Sequence, residues 1–124
     1  MSLLRKSNSL LLIFLTLTLI SPLAWSDDWL FTDVDRVVAI SDVHGDYDAM
    51  VATLKSAKVL TEDLSWAGGK THLVIVGDIL DRGPKSRAVM DLLMRLEGEA
   101  VAAGGLVHVL IGNHESMILI GDMR

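Results

Sequence analysis

The sequence predicts an α/β fold, a βαβαβ unit with parallel strands joined by right-handed crossovers, and three observations carry that reading. Three runs rich in β-branched residues, at 36–41, 72–76 and 106–111, each break off at a cluster of glycine and polar side chains. Between them lie two stretches in which apolar residues return at i, i+3, i+4 and i+7. No repeat or low-complexity segment interrupts residues 27–124, and the only proline in that span is Pro84.

The first strand, residues 36–41, runs into Asp42-Val43-His44-Gly45. Asp46 is placed to cap a helix in which Tyr47, Met50, Val51, Leu54 and Ala57 or Lys58 share one face. Residues 61–70, with Trp66 and the pair Gly68-Gly69, read as a surface loop. The triplet Gly69-Lys70-Thr71 mimics the tail of a phosphate-binding P-loop, but Leu64 stands where that motif needs its first glycine. It also precedes a strand where the motif must follow one, so the P-loop reading is dropped. The second strand, residues 72–76, ends in Gly77-Asp78. Pro84 is expected to open a helix with Ala88, Val89, Leu92, Leu93, Leu96 and Ala100 on its core side, closed by Gly104-Gly105. The third strand, residues 106–111, ends in Gly112-Asn113-His114-Glu115, and residues 116–124 read as the start of one more helix.

The first 26 residues have a different character: Arg5 and Lys6 precede an eleven-residue apolar-rich run, 10–20, and Ala24 and Ser26 supply a small-residue exit. This is the pattern of a secretory signal peptide, with cleavage expected before Asp27. The run falls short of the roughly 20 residues that span a bilayer, so the domain division is 1–26 signal peptide and 27–124 the folded part. The expected localisation is exported, periplasmic or secreted, with no stable membrane insertion after cleavage.

Removing Arg5 and Lys6 leaves 9 basic against 16 acidic residues, a formal charge of −7. Nucleic acid is therefore excluded as a partner, because phosphate-backbone binding draws on clustered Lys and Arg. The chain has no cysteine, which removes disulfides, thiolate ligands and cysteine nucleophiles together. Chemistry must come from oxygen and imidazole.

Asp42 and His44 follow the first strand, Asp78, Asp81 and Arg82 the second, and Asn113 and His114 the third. In a parallel sheet these ends share one edge, the edge at which open α/β sheets bind ligands. Carboxylates, imidazoles and an amide oxygen converging there suit a divalent metal of mixed N/O ligation, Mn²⁺, Fe or Zn²⁺, rather than the all-oxygen sets of Ca²⁺. The glycines at 45, 77, 83 and 112 read as devices for tight turns, Asp46 as a helix cap, and Glu115 as a support behind the site or a helix-start residue. His72 and His108 read as satisfied, half-buried strand histidines, and the methionines as core fillers.

Asp42-Val43-His44-Gly45, the run from Gly77 through Asp78, Ile79, Leu80, Asp81 and Arg82 to Gly83, and Gly112-Asn113-His114-Glu115, in that order, resemble the three signature blocks of the phosphoprotein phosphatase branch of the calcineurin-like metallophosphoesterases. The wording from Ser41 to Asp46 is most similar to the bacterial Shewanella-like protein phosphatases. The resemblance implies the first half of a fold in which helices pack on a mixed β-sheet sandwich. It implies two divalent metal ions, with Mn most favoured and Fe or Zn as alternatives: Asp42 and His44 on the first, Asp78 bridging both, Asn113 on the second. A metal-bridging hydroxide would be the nucleophile, His114 the proton donor to the leaving alkoxide, Asp81 its orienting carboxylate, and Arg82, with Asn113, a phosphate-binding group. The implied function is a phosphoester hydrolase, a serine/threonine or tyrosine protein phosphatase, acting on a phosphorylated protein or a small phosphoester.

Two departures from the family pattern bear on that reading. Ser41 replaces a glycine usual before the first Asp. No histidine follows His114, whereas the family draws two more from later strands, so the chain reads as the truncated, N-terminal portion of such a domain, expected to lack activity by itself. Alternative readings are a dinucleoside polyphosphate hydrolase, against which Asp81 speaks because that branch tends to carry Ala there, and an inactive exported fragment.

Overall fold

Each strand of the sheet is four residues long, set by how far the β-branched runs can stay extended before a glycine or aspartate turns the chain. The computed structural model describes residues 30–122, of which those from Thr32 onward form one unit. The expected signal peptide lies outside the described residues. Strand β1 is Val37–Ile40, helix α1 Tyr47–Ser56, β2 His72–Ile75, α2 Ser86–Ala102, β3 Leu106–Val109 and α3 Asn113–Leu119. The order β1-β2-β3 is parallel throughout, with Val37 opposite His72 and His72 opposite Leu106. This is the α/β unit that the sequence predicts.

Alternation along the strands sorts the side chains onto two faces. Leu73 and Ile75 are fully buried against the helices, where they meet Leu54 of α1 and Val89, Leu93 and Leu96 of α2. Burying a side chain of this size contributes about 1.5–3 kcal/mol, so this cluster is the main support of the sheet. Asp46 caps α1 as expected, its Oδ1 accepting from the Ala49 N–H at 3.0 Å. Helix α2 begins later than expected, at Ser86 with Lys85 as its cap; Pro84 lies in the turn before it, because Gly83 N–H bonds back to His44 O and holds that turn in place. Residues 61–70 are less of a free loop than their composition suggests. Leu60 bridges to Trp66, and the Trp66 N–H donates to Glu99 of α2 at 2.8 Å.

Helix α3 begins at Asn113, three residues before the start expected from residues 116–124, because the third signature block itself forms its first turn. Around and beyond β3 the apolar residues Leu110, Ile111, Leu119 and Ile120 are exposed. Among the described residues no helix is long and apolar enough to cross a membrane.

Candidate active site

The three loops at the carboxyl edge of the sheet are locked together by backbone hydrogen bonds before any side chain is considered. His44 N–H donates to Asp78 O at 2.8 Å and Gly45 N–H to Ile79 O at 2.9 Å, joining the first loop to the second. Glu115 joins the second to the third. Its carboxylate accepts from the N–H groups of Asp78 (2.7 Å), Ile79 (2.9 Å), Leu80 (2.9 Å) and Gly112 (2.9 Å). Burial by itself would raise the pKa of this carboxyl, but the bonds from Leu80, Asp78 and Gly112 outweigh it and hold Glu115 below the usual glutamate range. Gly77 and Gly112 approach so closely that a Cβ on Gly77 would run into the Gly112 backbone, and one on Gly112 would run into the Asp78 carboxylate. Only glycine fits at either place.

This bracing holds an unusual backbone. Asp42, His44, Asp78, Asp81 and Arg82 all have positive φ, from 46° to 70°. Aspartate tolerates that region; His44 and Arg82 do so at a cost, and such strain persists only where the surroundings fix it. The result is that five chemistry-bearing side chains turn toward one another.

His44 Nδ1 lies 3.1 Å from the Leu80 carbonyl, which can only accept. The ring therefore carries its proton on Nδ1 and leaves the Nε2 lone pair bare. That nitrogen is 3.7 Å from Asp42 Oδ1, so an imidazole nitrogen and a carboxylate oxygen face the same space. The ligand atoms of His44, Asp78 and His114 lie within 4.8 Å of one another. This donor chemistry, imidazole nitrogen with carboxylate oxygen, fits a divalent cation of the kind expected from the sequence.

His114 is held on three sides. Its backbone N–H donates to Asp78 Oδ1 at 3.0 Å, its Nδ1 donates to Asp81 Oδ2 at 2.9 Å, and its ring stands edge-on to His44 with centroids 4.6 Å apart. The Arg82 N–H and the His114 ring hold the Asp81 carboxyl below the usual aspartate range, so it stays anionic at neutral pH. Arg82 Nη2 lies 3.3 Å from His114 Nε2. Asn113 opens α3 and is exposed. The structure thus gathers Asp42, His44, Asp78, Asp81, Arg82 and His114 into one cluster and sets Asn113 at its rim.

What sequence reasoning understated is Glu115, whose carboxylate organises four amides. The available signal was its place at the third position of a helix beginning at a Gly-Asn turn, where an acidic side chain reaches back to the cap. The left-handed backbone at His44 and Arg82 has no signal in residue type.

The calcineurin-like phosphoesterase family profile matches residues 35–123. The chain is 40% identical over 94 residues to Shewanella-like protein phosphatase 2 of Arabidopsis thaliana, covering 76% of this chain and 24% of that protein. It is 34% identical over 86 residues to Shewanella-like protein phosphatase 1 of Plasmodium berghei, covering 69% and 24%. Among solved structures it is similar to a cold-active protein-tyrosine phosphatase of a psychrophilic Shewanella species, with 49% identity and a TM-score of 0.69 over 71% of this chain and 27% of that one. The chain therefore spans about a quarter of the length of these relatives. With the family profile running through all three strand-end loops, the chain belongs to the calcineurin-like phosphoesterases and is related to their Shewanella-like phosphatases.

Proposed function

We propose that this chain supplies part of a protein phosphatase site that hydrolyses phosphomonoesters on Ser, Thr or Tyr of exported protein substrates. The observation that carries the reading is the Asp81–His114 pair at 2.9 Å, together with the similarity to protein phosphatases of this family. Asp42, His44 and Asp78, with Asn113 at the rim, would hold two divalent cations, Mn²⁺ by preference. When bound, these ions supply charge to the phosphate and a water acidic enough to attack phosphorus near neutral pH. Arg82 offers a planar fork for two phosphate oxygens; on engaging them it would leave His114 Nε2 free for the leaving oxygen. With Arg82 on the phosphate, His114 would take up a second proton at Nε2 from solvent, while Nδ1–H stays bonded to Asp81. As the new P–O bond forms and the ester P–O bond breaks, it would give that Nε2 proton to the departing alkoxide. Asp81, still anionic, fixes the ring and favours its charged form.

The dinucleoside polyphosphate reading is less well supported, because it gives Asp81 nothing to do. The test is Mn²⁺ binding by the chain, followed by electron paramagnetic resonance, with hydrolysis of p-nitrophenyl phosphate and of phosphotyrosyl and phosphoseryl peptides measured alongside. Binding is expected to be lost in Asp78→Asn and kept in Asp81→Asn. Undiminished Mn²⁺ binding in Asp78→Asn would overturn the reading.

A further inference from the structure

His44 and His114 stand at the carboxyl edge with the same ring nitrogen committed and the same one left over. Nδ1 of His44 lies 3.1 Å from the Leu80 carbonyl, and Nδ1 of His114 lies 2.9 Å from Asp81 Oδ2. A carbonyl and a carboxylate only accept, so each Nδ1 carries the proton and each Nε2 offers a lone pair. The two rings meet edge-on with centroids 4.6 Å apart, and their side chains are only 14% and 11% exposed, so little water competes for either lone pair.

The present partner of His114 Nε2 shows what kind of group that nitrogen accepts. Arg82 Nη2, 3.3 Å away, can only donate, so a positive group already meets the lone pair. Oxygens lie close by. Asp42 Oδ1 is 3.7 Å from His44 Nε2, and Asp78 Oδ1 accepts from the His114 backbone N–H at 3.0 Å. A ring nitrogen of each histidine and a carboxylate oxygen of Asp78 lie within 4.8 Å of one another. Ligands bonded at about 2.0–2.1 Å stand about 3.0–3.4 Å apart when adjacent and about 4.2 Å when opposite. Movements of under about 1 Å therefore bring all three atoms onto one ion. Histidines that ligate metals characteristically donate their other N–H to a carboxylate or a backbone carbonyl; His114 has the first kind of partner and His44 the second.

We propose that His114 is itself a cation ligand in this chain: its Nε2, His44 Nε2 and the Asp78 carboxylate hold one Zn²⁺, with Asp42 beside them and Arg82 displaced. The proposal rests on the reading that the carboxyl edge binds divalent cations, and it gives His114 a second role there. Imidazole with carboxylate and no thiolate is a zinc-binding set. A nitrogen bonded to an ion has no proton to give, so the ion-bound and proton-donating states of His114 exclude each other. Loaded in this way, the chain holds a cation and lacks its acid.

The experiment uses the full 124-residue chain with ¹⁵N-labelled histidine, titrated with Zn²⁺ and followed by NMR of the ring nitrogens. At one Zn²⁺ per chain the Nε2 signals of His44 and His114 are both expected to move to the position of a metal-bound nitrogen, with both Nδ1 protons kept. A shift at His44 with His114 unchanged would overturn the proposal while leaving the edge a cation site. No shift at either ring would overturn the proposal together with the reading it rests on. In equilibrium dialysis His114→Ala should lower Zn²⁺ affinity at least tenfold, whereas His72→Gln, outside the cluster, should not. Equal affinity in His114→Ala and the unaltered chain would also overturn it.

Discussion

Glu115 and Asp78 are tied together across two loops: the Asp78 N–H donates to Glu115 Oε2 at 2.7 Å, while the neighbouring His114 N–H donates to Asp78 Oδ1 at 3.0 Å. The buried glutamate thus fixes where the Asp78 backbone lies, and Asp78 in turn fixes where the α3 backbone starts. Asp78, the proposed metal ligand, and His114, the proposed proton donor, are held in one register by a residue that need touch neither ion nor substrate.

Glu115→Gln is therefore expected to destabilise the chain by about 2–3 kcal/mol, because an amide NH₂ would face two backbone N–H donors that now meet an oxygen. Urea denaturation checks this. A loss below about 0.5 kcal/mol would mean that water satisfies those amides instead.

Gly112→Ala should disturb the site more than the fold. Its Cβ would press on the Asp78 carboxylate and backbone, while the core cluster of Leu73, Ile75 and Leu93 lies elsewhere. Mn²⁺ affinity is expected to fall tenfold or more with a change in thermal midpoint of a few degrees. Unchanged affinity would show that the loop yields without moving Asp78.

Asp78→Asn and Asp81→Asn should separate binding from turnover. The first removes the Asp78 charge from the cation cluster and should abolish metal binding; the second leaves Asp42, His44 and Asp78 in place but deprives His114 of its 2.9 Å partner. In a full-length version of the domain, metal-dependent phosphoester turnover in Asp81→Asn should drop by about 10²–10⁴-fold with metal content retained. Matching metal loss in both would reverse the two assignments.

Acid should weaken the fold beginning near neutrality. His72 has a folded pKa depressed below the reference 6.5, by burial first and His108 second. The unfolded chain therefore binds a proton that the folded chain resists, and stability present above pH 6.5 is lost as pH falls through the folded value. Thermal unfolding in chelator between pH 7.5 and 5 should show a falling midpoint, flattened in His72→Gln. The depressed carboxyls Glu115 and Asp81 act below their reference values of 4.5 and 3.8, outside that window.

Export predicts a new amino terminus. Mass spectrometry of secreted or periplasmic protein should find Asp27 first, given Ala24 and Ser26 ahead of it. Full-length chain confined to the membrane fraction would contradict it.

The strand–helix order, the cap at Asp46 and the strand-end clusters were legible in the sequence because periodicity and turn chemistry are local. Residues 36–41 can only be extended and then broken at Asp42, and α1 needs its apolar face at 3.6-residue spacing whatever it packs against. The same locality explains the misplaced starts of α2 and α3. Pro84 signals a helix start, but the bond from Gly83 to His44, 39 residues away in sequence, decides where the turn ends. Tertiary structure alone decided that Glu115 would serve four amides, that His44 would be held by the Leu80 carbonyl with Nε2 bare, and that His72 would meet His108. Each depends on two segments brought together by burial of the sheet's apolar face. Residue type announces that an imidazole or carboxylate is present; which nitrogen carries the proton, and toward what it points, is settled by partners distant in sequence.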